Sequence, residues 1–175
     1  TATAATSQSG MRNPNGLAID STGNRLFVGD TNNHRVLVFD VAVITNGESA
    51  VNVLGQPDFI TATAATSQSG MRNPNGLALD STGNRLFVAD WSNHRVLVFD
   101  VAVVTNGENA VNVLGQPNFT TATAATSQAG MRNPHDLAYD STNTRLFVAD
   151  YANHRVTVFD VAVVTNGENA VNVLG

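Results

Sequence analysis

The sequence predicts an all-β protein, a β-propeller built of four-stranded antiparallel blades, and three observations predict it. First, one 60-residue unit is written three times. TATAATSQSGMRNPNGLAID opens at Thr1 and again at Thr61, and returns as TATAATSQAGMRNPHDLAYD at Thr121. Units 1–60 and 61–120 match at 52 of 60 positions, and a fixed period of this length marks a repeat architecture. Second, each unit holds four short stretches rich in Val, Leu and Phe, separated by turn residues. Third, those stretches are apolar on both faces. Leu26 and Val28 alternate with Phe27, and Val36 and Val38 alternate with Leu37 and Phe39. Sheets wetted on one side alternate apolar with polar, whereas near-continuous apolar runs belong to sheets covered on both faces. Identical sheets packed on both faces stack radially. A linear stack would leave Val-rich faces bare at its ends, and none of the units is a cap.

In unit one the predicted strands are Gly16–Ile19, Arg25–Gly29, Arg35–Phe39 and Ala50–Leu54. Asp20–Asn24 forms a tight turn between the first two, with Gly23 as the residue able to take positive φ. Asp30–His34 links the second strand to the third, and Asn46-Gly47 punctuates a longer link to the fourth. Asn15-Gly16, like Thr22-Gly23, reads as a turn dipeptide. Four antiparallel strands in simple succession make a meander. Units 1–60, 61–120 and 121–175 are accordingly three blades, together one half-propeller domain.

The run N-P-N-G-L-A-I-D-S-T-G-N-R-L-F-V-G-D-T-N-N-H-R-V-L-V-F-D, from Asn13 to Asp40, resembles the NHL-repeat family of propellers. It recurs at 73–100 and, with more changes, at 133–160. V-L-G-Q-P-D-F at Val53–Phe59 further resembles bacterial NHL-type proteins with long blades. The resemblance implies a six-bladed ring that binds ligands or partners. A few relatives, such as the peptidylglycine amidating lyase, are metal-dependent enzymes. This chain departs from the family in carrying three blades, which cannot close a ring. The expectation is a C2 homodimer that completes six blades, with a nine-bladed trimer as the alternative. Gly175 is the counterpart of Gly55, so six peptide steps would join it to the partner's Thr1. At ~3.3–3.6 Å per residue that gap is at most roughly 22 Å. The chain opens at Thr1 without Met, the mark of an excised, processed or engineered piece.

Composition narrows the chemistry. All nine basic residues are Arg, and 11 of the 14 acidic ones are Asp. With no Lys, Schiff-base and lysine-base mechanisms are excluded; with no Cys, so are disulfides, thiolate metal sites and thiol nucleophiles. A net charge of −5 argues against a nucleic-acid surface. No apolar run approaches the roughly 18 residues of a membrane span. No phosphate-binding glycine loop, nucleophile elbow or H-E-x-x-H run is present.

Repeated residues read as structural. His34, His94 and His154 share one position and invite a metal hypothesis, but a residue present in every blade more often satisfies backbone groups. It sits at the end of the link into the third strand, away from the innermost strand. Asp30, Asp90 and Asp150, with Asp20 and Asp40 at tenfold spacing, could bind Ca²⁺ or do acid–base work. Each stands at a strand end, where Asp shapes turns, and Asp30 lies at the opposite end of the sheet from Asp20 and Asp40. Arg12, Arg72 and Arg132 are expected to anchor their own linkers to a neighbouring blade.

Residues that differ between units are the candidates for recognition. Thr31, Trp91 and Tyr151 share one position in the link between second and third strands, and Asn15-Gly16 becomes His135-Asp136 in unit three. In a meander, both positions fall on one face of the ring. Trp and Tyr there suit binding, because they bury much area at low entropic cost. The sequence therefore reads as a non-catalytic, self-associating scaffold without cofactor or metal. A ligand or protein would bind on the face carrying Thr31, Trp91, Tyr151, His135 and Asp136. The alternative is a metal-dependent lyase or hydrolase with its site in the central channel.

Overall fold

The computed structural model describes residues 4–175. Each unit forms one four-stranded antiparallel sheet with its strands in chain order. In the first blade these are β1 (Pro14–Asp20), β2 (Arg25–Asp30), β3 (Arg35–Asp40) and β4 (Asn52–Leu54). The second blade contains β5 (Pro74–Asp80), β6 (Arg85–Asp90), β7 (Arg95–Asp100) and β8 (Asn112–Leu114). The third contains β9 (Pro134–Asp140), β10 (Arg145–Asp150), β11 (Arg155–Asp160) and β12 (Asn172–Leu174). A single 3₁₀ turn at Thr31–Asn33, Trp91–Asn93 or Tyr151–Asn153 joins the second strand of each blade to the third. The innermost strands lie side by side, β1 next to β5 and β5 next to β9. No helix among the described residues is long and apolar enough to cross a membrane. Thr1, expected near Gly175 of a partner, lies outside the described residues.

Three local expectations are corrected. The fourth strand begins at Asn52, because Ala50 is tied to the linker instead of to β3. Its N–H donates to the Gln8 carbonyl at 3.0 Å, and its carbonyl accepts from Gln8 Nε2 at 2.8 Å. Asn15-Gly16 lies inside β1, at a bulge where the register shifts between Pro14 and Leu17. At the first hairpin, Asn24 and not Gly23 takes the left-handed conformation, with φ of 52°. A Cβ on Gly23 would crowd the Asp20 carboxylate and lie 2.8 Å from Arg25 Nε, but the third unit carries Asn143 at this position, bonded to Asp140.

Alternation along each strand sends one set of side chains to each face. Ala18, Phe27, Val36, Val38 and Leu54 of the first blade pack against Leu77, Leu86, Val88, Leu97 and Phe99 of the second. The opposite face of the second blade, with Ala78, Phe87, Ala89, Val96 and Val98, packs against Leu137, Leu146, Val148 and Phe159 of the third. Each fully buried aliphatic or aromatic side chain contributes about 1.5–3 kcal/mol, so these two joints hold the blades together. Among the described residues, no sheet packs on the remaining face of the first blade. Leu17 there is 61% exposed, whereas Leu77, its counterpart in the second blade, is 6% exposed.

Candidate functional site

Each blade is clamped to its own linker by a buried ion pair. Asp30 ends β2 and Arg35 opens β3, paired directly across the strands, which brings Arg35 Nε within 2.7 Å of Asp30 Oδ2. Both side chains are wholly buried. The other Asp30 oxygen accepts the Arg12 N–H at 2.6 Å, and Asn33 Nδ2 adds a third donor at 2.9 Å. The Arg35 guanidinium then reaches the carbonyls of Ser7, Gly10 and Phe59. Asp90 with Arg95 repeats the arrangement; Asp150 with Arg155 keeps the ion pair, but Arg155 is partly exposed and bonds the Thr126 carbonyl beside those of Ser127 and Gly130. Every charge is met by several hydrogen bonds, the condition under which a buried pair is tolerated. Asp30, Asp90 and Asp150 are thus engaged on both oxygens. The linker anchor is Arg35 and its repeats; Arg12, Arg72 and Arg132 are exposed and contribute backbone groups to it.

A second ion pair secures the other end of the sheet. Asp20 Oδ2 lies 2.6 Å from Arg25 Nη2, while Oδ1 accepts from the Thr22 hydroxyl and the Gly23 N–H. Burial pushes this carboxyl up, but hydrogen bonds from Arg25, Gly23 and Thr22 outweigh it and hold the pKa at about 2.

Histidine does not stay within its own blade. His34 adopts the left-handed conformation, φ 54°, uncommon outside glycine. This turns its ring across the joint, where Nδ1 accepts the Asn73 N–H at 3.1 Å, directly before β5. His94 accepts from Asn133 N–H at the same distance. Burial, and then the nearby positive charges of Arg72 and Arg12, lower the pKa of His34; burial with Arg132 and Arg72 does so for His94. The neutral imidazole is what the acceptor role requires. His154 has the same backbone, φ 54°, but among the described residues no further blade packs against it. The expected separation of these histidines from the innermost strands is corrected: His34 and His94 hold the segments that feed them.

Further hydrogen bonds cross each joint. Arg25 Nη1 donates to the Val101 carbonyl, Gly107 N–H to the Val53 carbonyl at 3.0 Å, and Val53 N–H to Asn106 Oδ1 at 3.0 Å. Arg85 with Val161, Gly167 with Val113, and Val113 with Asn166 repeat them between the second and third blades.

The unit-specific residues converge. Trp91 and His135 have ring centroids 5.0 Å apart, His135 and Tyr151 5.8 Å, and Trp91 and Tyr151 6.0 Å. These tilted contacts form one aromatic cluster over the joint of the second and third blades, with Tyr151 62% exposed. Thr31, at the matching place on the first joint, uses its hydroxyl to bond the Pro74 carbonyl at 2.8 Å. Asp136 lies beside His135, with Oδ1 accepting the Leu137 N–H at 2.9 Å. Among the described residues, no three His, Asp or Glu side chains are grouped to hold a metal ion. The hollow between the innermost strands, about 280 Å³, is lined by residues such as Leu17, Ile19, Leu79, Leu137 and Tyr139.

The chain is similar to known proteins. A family model described as "SMP-30/Gluconolactonase/LRE-like region" matches residues 1–113, and one described as "NHL repeat" matches residues 131–159. NHL repeat-containing protein 2 of Homo sapiens is 31% identical over 108 residues, 58% of this chain and 14% of that protein. Protein SUPPRESSOR OF QUENCHING 1, chloroplastic, of Arabidopsis thaliana is 26% identical over 154 residues, 86% of this chain and 14% of that protein. A chain from the crystal structure of a nidogen/laminin complex shares the fold, with a TM-score of 0.56 and 22% identity. That match covers 85% of this chain and 44% of the other.

Proposed function

The chain belongs to the SMP-30/gluconolactonase/LRE-like family and carries an NHL repeat, and from that premise we propose that it is a propeller scaffold that closes into a ring by self-association. In this reading two copies supply six blades, and a ligand or protein docks on the face bearing Trp91, His135 and Tyr151. Complementarity of the two open faces carries the proposal. The third blade presents Arg145, His154 and Val173, the counterparts of the groups that Arg25, His34 and Val53 use at the first joint. The first blade presents Val41, Asn13, Asn46 and Gly47, the counterparts of Val101, Asn73, Asn106 and Gly107 on the other side of that joint. Beside them runs a groove of about 300 Å³ lined by Met11, Leu26, Val28, Phe39, Val41 and Ile44. Five of these apolar positions (Met71, Leu86, Val88, Phe99 and Val101) are fully buried in the second blade.

The family match also favours a second reading, catalysis in the channel, because the matched family's description includes gluconolactonase. The scarcity of ionisable groups in the hollow supports the scaffold reading instead: Tyr139 is the titratable side chain among its lining residues. Sedimentation over a concentration series tests the scaffold. Arg145→Ala should weaken self-association without lowering the thermal stability of the chain, because its guanidinium has a blade to hold only across the seam. Equal association of the variant and the parent chain would contradict the proposed seam.

A further inference from the structure

Adjacent innermost strands touch through a glycine at each internal joint. A Cβ on Gly16 would collide with the Asn75 carbonyl oxygen and lie 2.9 Å from the Leu77 nitrogen. One on Gly76 would lie 2.6 Å from Asp136 Cα and 2.7 Å from the His135 carbonyl oxygen. These neighbours are backbone atoms that cannot swing aside, so a side chain there forces the strands apart. The third unit breaks the rule. Asp136 stands at this position, and it is exposed, with no further innermost strand beside β9 among the described residues.

Resting on the ring closure proposed above, we infer that Asp136 is the residue that sets the strength of the seam between copies. Carrying the step from first to second blade on once more, from the third blade to a new first blade, brings Asp136 Cβ against the carbonyl of the partner subunit's Asn15. The two internal joints of each copy close tightly on glycine. The seam opens at its inner edge, while Arg145, His154 and Val173 hold its middle and outer parts. The partner that fits this face is therefore a second copy, bound reversibly and more loosely than the blades of one chain bind one another.

Two variants test this. Asp136→Gly removes the obstruction and should lower the dimer dissociation constant by about tenfold or more in sedimentation equilibrium. Gly76→Asp places the same obstruction inside the chain and should lower its melting temperature at concentrations where the chain is monomeric. Dimers of equal strength for parent and Asp136→Gly would overturn the role of Asp136 while leaving ring closure standing. Association of Asp136→Gly alone would support the role and remove self-association of the parent chain. Failure of both to associate would overturn both. An unchanged melting temperature for Gly76→Asp would overturn the steric argument itself.

Discussion

The first and second blades differ at only eight of 60 positions, yet their surroundings differ far more than their residues. Met71 is fully buried where Met11 is partly exposed, and Leu77 is 6% exposed where Leu17 is 61% exposed. A Cβ on Gly107 would lie 3.0 Å from Pro57 Cα, while one on Gly47 would meet nothing within 4 Å. The clamp, in contrast, is the same in both: Arg35 and Arg95 are each 0% exposed. The comparison separates two kinds of stability. Blade-internal contacts travel with the unit, whereas joint contacts exist only where a neighbouring blade supplies the other half.

Substitutions in matched pairs can break or sharpen that division. The largest effects belong to the clamp. Arg35→Ala and Arg95→Ala should each cost about 3–5 kcal/mol, because each leaves a buried aspartate without its cation. Near-equal losses in chemical denaturation would place the clamp within the blade; a much smaller loss for Arg35→Ala would tie it to the joint. Next come the joint leucines. Leu77→Ala should cost about 2–5 kcal/mol, and Leu17→Ala within about 0.5 kcal/mol in dilute chain, as for an exposed residue. A comparable loss for Leu17→Ala in a monomeric sample would end the distinction.

The smallest effects come from the joint histidines. His94→Ala should cost about 1–3 kcal/mol by orphaning the Asn133 N–H, and His154→Ala less, since among the described residues no N–H meets its ring. Because burial and the neighbouring arginines lower the pKa values of His34 and His94 below 6.5 in the fold, the unfolded chain takes up protons first on acidification. Their contribution is therefore fully present above the unfolded pKa and is lost as pH falls through and below it. Melting temperatures should drop on acidification from pH ~7.5, starting near the ordinary histidine pKa of about 6.5. The double variant His34→Ala/His94→Ala should flatten that slope. An unaltered slope would show that other groups set it.

Much of this was legible in the sequence. The 60-residue period and the two-faced apolar strands give the blades, their number and their strand order. The gathering of Trp91, His135 and Tyr151 follows from a meander placing both variable positions on one face. Arg35 was harder to read, because an arginine opening a strand ordinarily points to solvent. The signal was nevertheless present: Asp30 and Arg35, like Asp20 and Arg25, are five apart and flank a hairpin, so antiparallel pairing sets them opposite one another. The reach of His34 was not readable, since it depends on a left-handed backbone at a non-glycine residue. Nor was the role of Gly16, because the Asn75 carbonyl that needs its space belongs to the next repeat.

Closure by a second copy is the central claim, and light scattering coupled to size exclusion, across a concentration series, tests it most directly. A dimer should give twice the 18.4 kDa chain mass, shifting toward the single-chain value on dilution as the seam opens. A stable monomer at every concentration would contradict the account and leave the two open faces to blades of a longer chain. Three times the chain mass would replace the six-bladed ring with nine blades.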